Sequence, residues 1–220
     1  VNKNIVLVLI NGSPVSIEWE ADNIPAILEA WYPGQEGGKA IADIIFGDYN
    51  PSGKLPITFY ENDKQLLDFY DYDITKGRTY MYLEDEPLFP FGYGLSYTTF
   101  KFDNFKLNKK YFNASETIEI SFDIKNVGDM DGMEVAQLYV KPIGSSKYIP
   151  RKQLKAFEKV KLGIGEKYRT LLQFPVSSLA SYDSDLKKEV INEGDYQIMV
   201  GNSSEDIFFT DDFSISLKWK

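Results

Sequence analysis

The sequence contains neither histidine nor cysteine. Zinc sites of the usual His/Cys kind, Ser-His-Asp triads, disulfides and thiolate chemistry are thereby excluded. What remains for chemistry is carboxylates, Tyr, Lys, Arg and Ser. The densest gathering of these types is Asp68, Asp71 and Asp73 interleaved with Tyr70 and Tyr72, followed by Lys76, Arg78 and Tyr80. Carboxylates between aromatic rings suit a sugar subsite, the rings covering an apolar sugar face while the acids accept hydroxyl hydrogen bonds. Asp68, Asp71, Arg78 and Tyr80 are then the residues for a pocket rim. The competing reading is a solvated strap whose acids pair with Arg78 and Lys76.

Three other groups invite a chemical reading. Glu36 stands just inside a helix start in a Gly-rich turn, either as an active-site acid or as a first-turn carboxylate favoured by the helix dipole. That turn matches no P-loop, and its acid opposes an anion. Glu84-Asp85-Glu86 lacks the spacing of an EF-hand and reads as a solvated turn, so no metal site is assigned. Phe89, Phe91, Tyr93 and Tyr97 form either a carbohydrate platform or the packing of a strap between two domains. Asn11, Asn113 and Asn202 each open an N-x-Ser pattern, which matters only in a secretory eukaryote.

The elements that position these residues change character along the chain. Its 220 residues exceed one usual domain, and a hydrophobic share of 43% is that of a folded protein. The net charge of -9 comes with no long basic run, which excludes a nucleic-acid partner. The longest apolar run, Ile5 to Ile10, is six residues and far short of a membrane span. Being continuous, it reads as a parallel strand covered on both faces. The chain opens at Val1, almost directly on this run, which reads as a truncated start; the compartment stays open, periplasmic or secreted being favoured over cytoplasmic.

Ala26 to Tyr32 reads as a second strand, with a helix possible. Gln35 to Phe46 has helical spacing and Gly47 as its stop, and Leu55 to Phe59 reads as a further short strand. Residues 1–60 are thus expected to form part of an open parallel α/β sheet, and 61–99 an aromatic-rich strap. From 100 to 220 the period becomes two. Strands are expected at Phe102–Leu107, Thr117–Lys125, Val135–Lys141, Leu154–Leu162, Tyr168–Phe174, Asp195–Val200 and Phe208–Leu217. Seven short strands argue for a β-sandwich. In it Tyr196 is either a tyrosine-corner-like anchor or an ordinary core residue.

Several motifs occur together in order: Ala30-Trp31-Tyr32-Pro33-Gly34-Gln35-Glu36-Gly37-Gly38, Gly47 to Pro56, Gly77-Arg78-Thr79-Tyr80 and Phe89 to Thr98. Lys125-Asn126-Val127-Gly128, Glu134 to Val140 and Tyr196 to Gly201 follow. The chain resembles, over nearly its whole length, the C-terminal portion of family 3 glycoside hydrolases. It departs at Lys155-Ala156-Phe157 and at Gly163-Ile164-Gly165-Glu166, which touches turn geometry and not the fold. The resemblance implies the end of an α/β sandwich domain followed by a fibronectin type III-like, immunoglobulin-like sandwich.

It also implies a parent that is a retaining β-glucosidase or β-xylosidase acting on β-linked oligosaccharides, with no cofactor. The family's nucleophilic Asp lies in an N-terminal barrel, and its acid/base Glu lies upstream of the strand matching Ile5 to Ile10. No residue here is therefore carried over as catalytic, and Glu36 takes the first-turn reading. The chain is expected to be a non-catalytic accessory part whose partners are that barrel and the upstream half of the α/β domain. Self-association through the exposed half-sheet, or glycan binding by the strap, are the alternative roles.

Overall fold

The expected first strand forms as β1, Val6–Leu9, in a computed structural model that describes residues 2–144, 150–183 and 185–217. It pairs in parallel with β2, Ala26–Glu29, in the register Val6↔Ala26 to Leu9↔Glu29, which settles the second segment as a strand. Helix α1, Glu18–Asn23, makes the crossover. Six residues are too few to show an apolar stripe, so periodicity did not disclose it, but Glu18 and Glu20 suit its positive end. Helix α2, Gly37–Ile45, starts later than expected because Gly34 closes a turn by accepting from Gly37 N at 3.0 Å. Gly47, at φ 82°, ends it as a left-handed stop.

Two sequence expectations need correction here. The continuity of the run around β1 predicts cover on both faces, yet Ile5, Val6 and Ile10 are exposed. Two strands and two short helices supply too little surface to cover it. Leu55 to Phe59 does not join the parallel sheet. Pro56 deprives it of a ladder donor, and its backbone bonds go to the strap instead: Leu55 N to Tyr93 O, Gly92 N to Leu55 O, and a reciprocal pair between Phe59 and Phe89.

The strap carries short 3-10 turns at Asp63–Gln65 and Ile74–Lys76 and a one-turn helix α3, Thr79–Tyr82. Its aromatics pack. Phe89 stacks on Tyr93 with centroids 5.5 Å apart, Tyr80 stacks on Phe91 at 4.3 Å, and Tyr80 meets Tyr139 edge-on at 5.9 Å. The Tyr97 hydroxyl donates to Ile44 O at 2.8 Å. For Phe89, Phe91 and Tyr93 the packing reading therefore holds.

Beyond the strap the chain is a sandwich, antiparallel except for one short edge pairing, Ser214↔Tyr111 and Ile215↔Phe112, which is parallel. One sheet orders β4 (Tyr111–Phe112), β12 (Ile207–Ile215), β11 (Gly194–Gly201), β6 (Gly132–Pro142) and β7 (Gln153–Leu162). The other orders β3 (Phe100–Leu107), β5 (Thr117–Asn126) and β8 (Lys167–Pro175). A hairpin of β9 (Ser181–Asp183) and β10 (Lys188–Val190) stands apart. β4, β9 and β10, at two or three residues each, are too short for an alternation to be read.

The β5 alternation is realised: Ile118, Ile120, Phe122 and Ile124 are fully buried against Ala136, Leu138, Val140, Ile198 and Val200. Tyr196 is a tyrosine corner. Its ring is buried and stacks on Phe213, and its hydroxyl donates to Asn192 O, four residues back, at 2.7 Å. Among the described residues no helix is long and apolar enough to cross a membrane.

Candidate functional site

The acidic–aromatic segment of the strap folds on its own side chains. Asp68 Oδ1 accepts from Tyr70 N at 2.8 Å, Asp71 Oδ1 from Asp73 N at 3.0 Å, and Asp73 Oδ1 from Thr75 N at 3.0 Å. These are consecutive Asx turns, the local bonding that lets Asp hold a chain outside helix or sheet. Lys76 Nζ lies 2.6 Å from Asp71 Oδ2. Arg78 reaches over the turn and donates from Nη2 to the carbonyls of Asp68 and Asp71, at 3.0 and 2.6 Å. The pairing foreseen between the acids and Lys76 is thus present at Asp71, whereas Arg78 grips backbone rather than carboxylate.

Electrostatics follow from these contacts. The Lys76 ammonium, then the Asp73 amide, holds the Asp71 carboxyl below the usual range, and the Thr75 hydroxyl and amide do the same for Asp73. Asp71 in turn raises Lys76. Both carboxyls are thereby biased toward the ionised form, which accepts hydrogen bonds. Tyr80 is drawn away from the other three. Its phenol, pushed up by burial, accepts from Leu154 N at 3.1 Å and pins the strap to β7. Its ring also lines a shallow, mainly apolar hollow of about 300 Å³ with Pro14, Thr58, Tyr60 and Phe91. Asp68, Asp71 and Arg78 therefore share one loop, and Tyr80 belongs to the seam behind it.

Glu36 is exposed at the start of α2 and makes no capping hydrogen bond. A second hollow, lined by Glu61, Asp85 and Glu86 among others, is polar and open. Among the described residues no three His, Cys, Asp or Glu side chains converge closely enough to hold a metal ion.

Sequence reasoning missed the joint that sets the strap's position. Lys54 Nζ lies 2.9 Å from Glu134 Oε1, both side chains being largely buried, and also donates to Gly94 O at 2.8 Å. Gln137 Nε2 donates to Gly92 O at 3.0 Å and Asn202 O at 2.5 Å, while its Oε1 accepts from the Tyr139 hydroxyl. Asn50 Oδ1 accepts from Tyr97 N and its Nδ2 donates to Asp131 O. Lys54, Glu134, Gln137 and Asn50 all sit in the quoted motifs, but side chains in a turn or strand give no sign of reaching a distant segment. Gly92, at φ 82°, has no room for a side chain: a Cβ there would lie 2.1 Å from Gln137 Oε1.

A further charged cluster braces the three-stranded sheet. The Asp123 carboxyl meets Lys167 Nζ at 2.7 Å, Asn104 Nδ2 at 2.7 Å and Arg169 Nη1 at 3.0 Å. Lys167 first, then Asn104 and Arg169, hold it well below the usual carboxylate range. A depressed folded value stabilises the protein above the unfolded pKa of about 3.9 and is lost as pH falls toward the folded value. The urea midpoint should therefore fall between about pH 5 and about pH 2, and fall less steeply in Asp123→Asn. Equal slopes in the two proteins would remove Asp123 from the acid response.

A partial parallel α/β layer strapped to an antiparallel sandwich defines a class of protein as well as a fold. Residues 1–97 match the glycosyl hydrolase family 3 C-terminal domain and residues 134–204 a fibronectin type III-like domain. Over most of its length the chain matches the C-terminal portion of glycoside hydrolase family 3, a C-terminal domain followed by a fibronectin type III-like domain. It is 42% identical over 204 residues to a xylan 1,4-beta-xylosidase of Xylanibacter ruminicola, covering 93% of this chain and 23% of that protein. It is 40% identical over 226 residues to thermostable beta-glucosidase B of Acetivibrio thermocellus, covering 94% and 29%. Among solved structures, a beta-glucosidase from Kluyveromyces marxianus superposes with a TM-score of 0.87 at 35% identity, covering 98% of this chain and 27% of that one. Beta-glucosidase 3B from Thermotoga neapolitana, in complex with glucose, gives 0.86 at 34%, covering 95% and 31%. The chain thus spans less than a third of the length of these relatives.

Proposed function

We propose that this chain serves a retaining β-glucosidase or β-xylosidase as a non-catalytic part, organised as an α/β segment (1–60), a strap (61–99) and a sandwich (100–220). The observation that carries the proposal is the match, over most of the chain, to the C-terminal portion of enzymes named for those two activities. Retention needs two carboxyl groups about 5–5.5 Å apart, one of them protonated. The resemblance puts both of those groups upstream of this chain, which spans less than a third of the relatives' length.

In this reading the sandwich braces the strap through the Lys54–Glu134 and Gln137 contacts, and the exposed apolar surface around β1 receives the rest of the enzyme. The strap then presents Asp68, Asp71 and Arg78 toward the rim of the sugar pocket, with Tyr80 fixing their height. The 220-residue chain alone is expected to give no turnover of aryl β-glucosides or β-xylosides above a buffer blank. Release of the aryl group at a rate that tracks protein through successive purification steps would overturn the non-catalytic assignment.

A further inference from the structure

The strap exposes three aromatic rings that stack on no other element among the described residues. Phe69, Tyr70 and Tyr72 are each 80% exposed, and Phe69 and Tyr70 hold each other edge-to-face at 5.4 Å. Exposed rings that cluster, unlike those scattered singly, mark an interaction site. They stand on the Asx-turn ladder gripped by Arg78, so the chain beneath them is ordered before any ligand arrives, which lowers the cost of binding. Flanking them along the chain stand Asp68 and Asp73, whose Oδ2 atoms make no hydrogen bond among the described residues, although each Oδ1 is committed to its turn; Asp71, between the rings, is paired with Lys76.

This mixture discriminates among partners. A protein interface depletes carboxylates from its apolar centre, because burying them unpaired is costly. An anionic ligand is opposed by the same acids. A neutral glycan satisfies both features at once, its C–H faces lying on the rings and its hydroxyls donating to the free carboxylate oxygens. We infer that Phe69, Tyr70 and Tyr72, with Asp68 and Asp73, form a binding surface for a neutral β-linked glucan or xylan chain. The choice of β-linked glucose or xylose rests on the function proposed above; the glycan surface itself rests on the rings and acids.

Calorimetric titration of the 220-residue chain with cellopentaose, xylopentaose and the α-linked maltopentaose tests both parts. One of the two β-linked ligands should bind with a dissociation constant of about 1 mM, and Tyr70→Ala or Tyr72→Ala should weaken it roughly tenfold. Asp68→Asn and Asp73→Asn keep the turn through the amide oxygen while removing the charge, and should weaken binding severalfold. Tyr111→Ala removes a ring 77% exposed on the far side of the sandwich sheet order, at edge strand β4, and should change nothing. Because the strap rings are exposed, thermal melts of the variants should match the parent chain.

Absence of binding to all three ligands, or binding that survives Tyr70→Ala and Tyr72→Ala together, overturns the surface. So does a dimer, seen by sedimentation, that those two substitutions dissolve, since the rings would then serve a protein contact. Binding of maltopentaose alone through the same rings keeps the glycan surface but counts against the β-glycosidase reading. Failure of the surface with the aryl glycosides still uncleaved leaves that reading in place.

Discussion

Asn126→Ala should destabilise the folded chain by about 4 kcal/mol, since each buried group left without its partner costs about 1–3 kcal/mol. The side chain is completely buried and uses its amide fully. Nδ2 donates to Met130 O at 2.8 Å and Leu162 O at 3.2 Å, while Oδ1 accepts from the Thr98 hydroxyl at 2.7 Å and Gly128 N at 3.1 Å. One residue thereby closes the turn after β5, ties it to the end of β7 and anchors the strap's last residues. Asn126→Asp is the discriminating variant. It keeps both acceptor bonds, loses both donors and places a charge in a dry site, so it should be no better tolerated than alanine. Urea unfolding checks both. A loss under about 1 kcal/mol for alanine would mean that water or relaxed backbone replaces the amide.

The second large effect is expected at the seam between the α/β segment and the sandwich. Lys54→Met removes the counter-charge of Glu134, whose side chain is 7% exposed. A buried carboxylate stripped of its partner typically costs about 3–5 kcal/mol. The double variant Lys54→Met, Glu134→Leu should recover most of that loss, because the stranded charge is gone and a well-packed apolar pair is often as stable as a buried ion pair. It should still fall short by about 1 kcal/mol, because Gly94 O loses the ammonium that it accepts from. Additive losses in the double-mutant cycle would show that the two side chains do not interact. Since this contact holds the Gly92–Gly94 turn against β6, the single variant should also make the strap more sensitive to proteolysis.

These two sites show what a linear reading leaves out. Asn126 and Glu134 both lie in motifs that pointed to the family, yet each falls one residue outside an expected strand, Thr117–Lys125 or Val135–Lys141. Their weight comes from partners far along the chain, Thr98 and Leu162 for one and Lys54 for the other. Likewise the strap acids were legible as a carboxylate–aromatic cluster. Which oxygens are spent on the loop and which stay free depends on backbone angles that spacing does not specify.

The sequence by itself determined the class of each half. A continuous apolar run gave a parallel strand, and Ile118, Ile120, Phe122 and Ile124 at period two gave a half-buried strand, because burial follows the geometric repeat of each element. Ordered motifs carried the family resemblance, to which the matching domains and relatives correspond. Only the tertiary structure decided that Leu55 to Phe59 pairs with the strap and not the sheet, that Tyr196 forms a corner, and that Tyr80 and Arg78 face different surroundings. Such outcomes depend on long-range polar bonds and close ring contacts, whose energies reward groups brought together by the fold irrespective of their distance along the chain.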